Sequence, residues 1–241
     1  MSASPVAALD HLVVMASSLA EGVAWCEATL GVTPGPGGEH PLMGTHNRLL
    51  SVASPAFPRA YLEIIAIHPG ANKSIPESDR RWFDMDFSPL QQHIATHGPQ
   101  LIHWVARVPD LPTAALALSG QGWDVGRVAS ASRATPRGLL QWHISIRPDG
   151  RRLRGGCVPT LIQWGDTHPA DGLPPCGVAL QALSLGHPEP VAVASALHRL
   201  GLPTLPVEAT PAPLLHATLS TPKGLRHLTS AGVPVNTAPG T

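Results

Sequence analysis

The chain has 241 residues, enough for one large domain or two fused modules. Its 16 Lys+Arg balance 16 Asp+Glu, so with neutral histidines there is no net charge, which argues against nucleic acid or an anionic membrane as a partner. Cys26, Cys157 and Cys176 are odd in number and far apart, so neither a disulfide framework nor a zinc knuckle is expected; with no signal-peptide pattern and no apolar run near about 18 residues, the expected location is cytoplasmic.

The first element is the apolar strand 9–15, with His11 inside it. Ser17-Ser18 then offers an N-cap, and Leu19, Val23, Cys26 and Leu30 space a helix that stops at Gly31. Gly35-Pro36-Gly37-Gly38 breaks the chain; strands follow at Asn47–Val52 and Ala60–Ile67. Residues 69–99 read as a connector, with a short amphipathic segment at Ser78–Phe83 and a helix at Pro89–His97. The order then repeats. Strand 101–107 leads to Asp110, a candidate N-cap, and an Ala/Leu-rich helix ending at Gly120-Gln121-Gly122. Strands at Trp123–Val128, Leu139–Ile146 and Cys157–Trp164 complete the second copy. A third, partial copy starts at Val178: Leu180–Leu185 aligns with the first strand but carries Ala182 in place of the histidine. A helix at Val191–Leu200 and strands near Thr204–Glu208 and Leu214–Ser220 follow, and residues 230–241 read as a loose tail.

Four polar residues stand out because each lies alone in an apolar strand: His11, Glu63, His103 and Gln163. A lone polar side chain in a buried strand is costly without a partner. Either histidine by itself reads as a satisfied core residue, and Glu63 by itself could face solvent. Their recurrence in two copies of one pattern favours a shared site, where one metal ion could partner all four. Glu63 is set by alternation on the face opposite Leu62 and Ile64.

On these residues the layout resembles the vicinal oxygen chelate superfamily, whose strand–helix–three-strand unit is used in pairs with metal ligands on the first and last strand of each. Within it, the chain is similar to the glyoxalase-like domain proteins, through His40–Leu50 ahead of Tyr61-Leu62-Glu63, Ser132–Gly138 ahead of Leu140-Gln141-Trp142, and Ile162–Asp166. The resemblance implies an α+β fold of paired βαβββ modules with cupped mixed sheets: 7–68, a connector 69–99, 100–166, and a degenerate third module 178–229. It implies His11, Glu63, His103 and Gln163 as ligands of a divalent metal (Zn, Ni, Mn or Fe), if a cofactor is used at all.

The resemblance implies a small-molecule site at the centre of the sheets, with metal-assisted lyase or isomerase chemistry through an enolate-like intermediate. Glu63 or His46 would be the base. Asn47, Arg133, Arg137, Trp104 and Trp142 would bind substrate, the two arginines as a carboxylate clamp. Gln141 and His143 belong to the same outer set. Gln163 is the departure: in glyoxalase I a carboxylate in that position moves the proton, and an amide accepts none at neutral pH. The glyoxalase I reaction is therefore not expected. Two alternatives stay open: a metal-free binding or sequestering protein, and a non-haem iron dioxygenase using His11, His103 and Glu63. The partner is a small molecule in each case; the modules could pair within one chain or across a homodimer.

Overall fold

The computed structural model describes residues 7–135 and 138–237. Twelve strands and four α-helices are present among them, and no helix there is long and apolar enough to cross a membrane. The first module comprises β1 (Ala8–Met15), α1 (Leu19–Leu30), β2 (Glu39–His40), β3 (Thr45–Ser51) and β4 (Tyr61–Ile67). The second comprises β5 (Gln100–Arg107), α3 (Leu111–Ser119), β6 (Arg127–Thr135), β7 (Gly138–Ile146) and β8 (Thr160–Trp164), with α2 (Ser88–His97) in the connector. The chain writes its own boundaries: Ser18 Oγ accepts the Glu21 N–H at the start of α1, and Gly31 ends that helix at φ 80°. Asp110 caps α3 by accepting the Thr113 N–H at 2.7 Å.

The two modules join within one chain into a strongly curled eight-stranded sheet, ordered β2-β3-β4-β1-β5-β8-β7-β6. At its centre β1 runs antiparallel to β5 and parallel to β4, and β5 runs parallel to β8. Alternation divides the sheet into two apolar faces. Leu12, Val14, Leu62, Trp104 and Leu161 pack outward against α1 and α3. Val13, Met15, Ile65, Val105, Ile144 and Ile162 line the inner face.

The third, partial module forms a second sheet, β10-β9-β11-β12, from β9 (Ala179–His187), β10 (Val207–Ala209), β11 (Leu214–Thr221) and β12 (Gly224–Thr229), with α4 (Pro190–Arg199). It packs on the outer face: Leu180, Leu183, Leu185, Leu215 and Leu219 share a core with Leu9, Leu12 and Trp104. The final strand, β12, lies beyond the strands that the sequence pattern predicts.

The connector does more than connect. No helix forms at Ser78–Phe83; Phe83 and Asp84 both take φ near 61°, the left-handed region, and the segment turns into the cup. Trp82, Phe83, Met85, Leu90 and Ile94 then fill much of the inner face. Arg152 anchors the plug by donating to Asp84 at 2.8 Å, both side chains buried. The same arginine donates to the carbonyls of Ile102 and Pro234. Residues 230–234, expected within a loose tail, are thus held to the body; Ser230 Oγ also accepts the Leu215 N–H.

Candidate functional site

Asp10 and His11 are neighbours in one strand, where alternation would send their side chains apart. The β1–β5 register shifts between Leu9 and His11, leaving Asp10 without an opposing residue. This bulge lets both side chains meet: His11 Nδ1–H donates to Asp10 Oδ1 at 2.7 Å. Asp10 is wholly buried, and its other oxygen accepts two further hydrogen bonds, from Trp164 Nε1–H at 3.0 Å and from His168 Nε2–H at 2.8 Å. His168 Nδ1 accepts the Ala170 N–H, which fixes the proton on Nε2.

The opposite edge of His11 faces Glu63. Nε2 lies 3.5 Å from Glu63 Oε2. The other Glu63 oxygen accepts from Asn47 Nδ2 at 2.6 Å, and Asn47 is itself oriented by the Gly38 N–H on its Oδ1 at 2.8 Å. His40 Nε2 stands 3.9 Å from Glu63 Oε1 and takes a weaker contact from Asn47 at 3.3 Å. Tyr61 stacks on the imidazole of His11 at 4.6 Å.

The electrostatics follow from this packing. Burial by itself would depress His11, but hydrogen bonds to Asp10 and Glu63 outweigh it and hold the imidazolium up to about 9. Burial would likewise raise Glu63 and Asp10. The facing histidines overcome it, with Asn47 also acting on Glu63, so both carboxyls lie below the usual range. His40 goes the other way: burial pushes it down to about 4, leaving it a neutral imidazole beside Glu63. The result at neutral pH is a buried carboxylate–imidazolium–carboxylate row, Asp10–His11–Glu63.

His11, Glu63, Asn47, Arg133 and Trp142 line one inner cavity of about 40 Å³, together with His40, Tyr61 and Trp164. By the usual allowance for one water, about 10–15 Å³, that is room for only a few. The cavity shares Leu49, Arg133, Leu140 and Pro169 with a larger outer pocket of about 540 Å³.

The other expected residues lie elsewhere. Gln163 faces outward, because Ile162 and Trp164 take the inward positions of β8; its Oε1 accepts the Leu111 N–H at 2.8 Å and satisfies the start of α3. His103 shares the inner face with His11, but its Nε2 is occupied: it accepts the Thr160 N–H at 3.2 Å and lies 3.0 Å from the Thr160 hydroxyl. Phe83 of the connector covers its ring at 5.1 Å. His46 alternates with Asn47 along β3, so it points away from Glu63 and packs on His68 at 4.6 Å. Trp104 is fully buried in the outward core. Gln141 and His143 are exposed, on the face of β7 opposite Trp142. Arg137 lies outside the described residues.

The four expected metal ligands therefore do not converge. Only His11 and Glu63 reach the cavity, and the lone pair of His103 is engaged by Thr160. Among the described residues no group of three or more His, Cys, Asp or Glu is disposed to hold a metal ion. The facial set of two histidines and a carboxylate is not assembled either, for the same reason. Asp10, His40, Tyr61, Trp164 and His168 complete the site instead; the sequence pattern assigns none of them a site role, although His40, Tyr61 and Trp164 lie in the stretches that carry the family resemblance. Asp10 carried a signal, being a carboxylate inside an apolar strand; His168 sits in a polar loop and carried none.

Residues 9–201 match the glyoxalase-like domain family. No curated protein sequence matches the chain. Among solved structures, a hypothetical protein from Staphylococcus aureus superposes with a TM-score of 0.54 at 12% identity, covering 86% of this chain and 88% of that one. A methylmalonyl-CoA epimerase from Streptomyces coelicolor, in complex with 2-nitronate-propionyl-CoA, has a TM-score of 0.43 at 14% identity, covering 68% and 99%. A methylmalonyl-CoA epimerase from Mycobacterium tuberculosis has a TM-score of 0.38 at 18% identity, covering 71% and 97%. The match over most of its length, on paired modules in one curled sheet, makes this chain a member of the glyoxalase-like domain family.

Proposed function

We propose that this protein is an enzyme that moves a proton at a carbon next to a carbonyl group, as an isomerase or lyase does. The observation that carries the reading is the pair His11 Nε2 and Glu63 Oε2, 3.5 Å apart, buried and open to one small cavity. Glu63 is the base. Its carboxylate takes the proton from carbon, the C–H electron pair forms a carbon–carbon double bond, and the carbonyl π pair moves to oxygen. His11 supplies the compensating charge: its Nε2–H donates to the oxygen as it becomes negative. Asp10 positions His11 and keeps it cationic; Asn47 positions Glu63. The proton returns from Glu63 to carbon, on the same or a neighbouring atom. No step passes through a metal ion, because the donor set does not fit one.

The reading is tested by solvent exchange. The protein is incubated in D2O with 2-oxobutanoate and 2-oxooctanoate, and loss of the C3 proton signal is followed by NMR. Exchange above background that disappears in Glu63→Gln supports it. Exchange equal in the native protein and the variant overturns it and favours the alternative of a binding protein, which the apolar outer pocket would also serve.

A further inference from the structure

The inner cavity is too small for a whole substrate, so a ligand that reaches Glu63 must keep most of its body in the outer pocket. That pocket, about 540 Å³, is of a size that takes small organic ligands. Its walls are mostly apolar, including Pro36, Leu49, Leu140, Leu173 and Pro174. One cation stands where the two compartments meet. Arg133, on β6, lines both. Among the described residues it has no carboxylate within ion-pair distance, unlike Arg59, Arg81, Arg127, Arg147 and Arg152. The turn at Gly37-Gly38 is shaped around it: a Cβ on Gly38 would lie 1.9 Å from Arg133 Nη1 and 2.5 Å from its Cζ. The same turn holds Asn47, which holds Glu63. The guanidinium is therefore seated against the turn that orients Asn47, and among the described residues no hydrogen bond takes up its donors.

We propose that the outer pocket binds a small amphiphilic carboxylate, with its anionic end on Arg133 at the junction and its apolar body along the outer wall. A planar guanidinium matches a carboxylate with two parallel hydrogen bonds. The charges favour a monoanion over a dianion: the Asp10–His11–Glu63 row is itself net negative and His40 is neutral, so Arg133 alone faces an incoming anion. A dianionic phosphate would leave a second charge uncompensated near Glu63. This inference deepens the proton-transfer reading, because it places the carbonyl carbon beside a carboxylate anchor at the entrance to the cavity.

The test is equilibrium binding, which requires no turnover. Octanoate, octanamide and octyl phosphate are titrated against the whole protein by calorimetry, with tryptophan fluorescence as a second readout because Trp142 and Trp164 line the inner cavity. The expected result is saturable octanoate binding, about tenfold or more tighter than octanamide, since charge-assisted hydrogen bonds are lost in the amide. Arg133→Gln should reduce octanoate to the level of octanamide, Arg133→Lys should restore part of it, and Gly38→Ala should weaken it by displacing the guanidinium. Equal binding of octanoate and octanamide, no binding of either, or an octanoate affinity unchanged in Arg133→Gln would overturn the proposal. So would octyl phosphate binding tighter than octanoate. If deuterium exchange is absent but octanoate binds through Arg133, the proton-transfer reading fails and the anchor stands; the reverse result separates them the other way.

Discussion

Trp164 donates its indole N–H to the carboxylate of Asp10 across 154 residues of sequence, at 3.0 Å. One hydrogen bond thus ties the last strand of the second module to the first strand of the first. Asp10 in turn fixes His11, so the geometry of the proposed proton-transfer pair depends on a residue contributed by the other module.

Trp164→Phe removes that donor and keeps most of the ring. Asp10 would retain His11 and His168 as partners. A loss of about 1–2 kcal/mol of stability is expected for a buried acceptor deprived of one partner. Urea denaturation measures it, and a variant as stable as the native protein would show that the bond contributes nothing.

Asp10→Asn should act on His11 rather than on substrate. The imidazolium, now held at about 9, loses one of its two carboxylates, and its titration should move toward the ordinary histidine value. NMR of the labelled ring follows this directly. Exchange rates for an active carbonyl acid should fall by about 10²-fold at pH 8, the lower end of what a positioned acid or base contributes.

The pH dependence of stability follows from the same row. His11 is held at about 9, above its ordinary 6.5, so its contribution is complete below about pH 6.5 and is lost as pH rises through about 9. That gap corresponds to about 3 kcal/mol. Glu63 and Asp10 are held below their ordinary 4.5 and 3.8, so their contributions are present above those values and lost as pH falls. His40, pushed down to about 4 by burial, and His103, also lowered, add to that loss, because they take up protons more readily in the unfolded chain as pH falls below about 6.5. Thermal unfolding midpoints should therefore decline on both sides of a maximum near pH 6.5. A midpoint that keeps rising from pH 6.5 to 9 would contradict the charged state assigned to His11.

Gln163→Glu should leave metal affinity unchanged, because the side chain faces α3 and not the cavity. Gln163→Ala should cost about 1 kcal/mol by leaving the Leu111 N–H without its acceptor. Calorimetric titration with Zn²⁺ and thermal unfolding, run in parallel, check both.

Gly22 lies on α1 where the helix meets β4, and a Cβ there would come within 2.4 Å of Ile64 Cγ2. Gly22→Ala should therefore destabilise by about 1–3 kcal/mol, despite the higher helix propensity of alanine, since the core cannot admit the methyl without shifting. An increase in thermal midpoint would show that Ile64 adopts another rotamer at little cost.

Much of the modular architecture is legible in local patterns of the chain. Short apolar strands with one polar residue each, the Ser18 and Asp110 caps, the Gly31 stop and the recurrence of one pattern specify βαβββ modules, because those signals act over a few residues. The sequence also singled out His11, Glu63, Asn47, Arg133 and Trp142, all of which line the inner cavity. The remainder rests on contacts between segments far apart in the chain. Strand alternation leaves a one-residue ambiguity about which side chain faces in. On β8 that choice fell to Trp164 rather than Gln163, and on β3 to Asn47 rather than His46. The bulge at Asp10 depends on the register between β1 and β5, which join residues about 90 apart. His103 is kept out of the cavity by Thr160, which engages its Nε2, and by Phe83 of the connector over its ring, and neither contact is encoded in a local pattern. The site's chemistry came from contacts at long range, Trp164 and His168 on Asp10, and burial there made a row of ordinary titratable groups into a fixed set of charges.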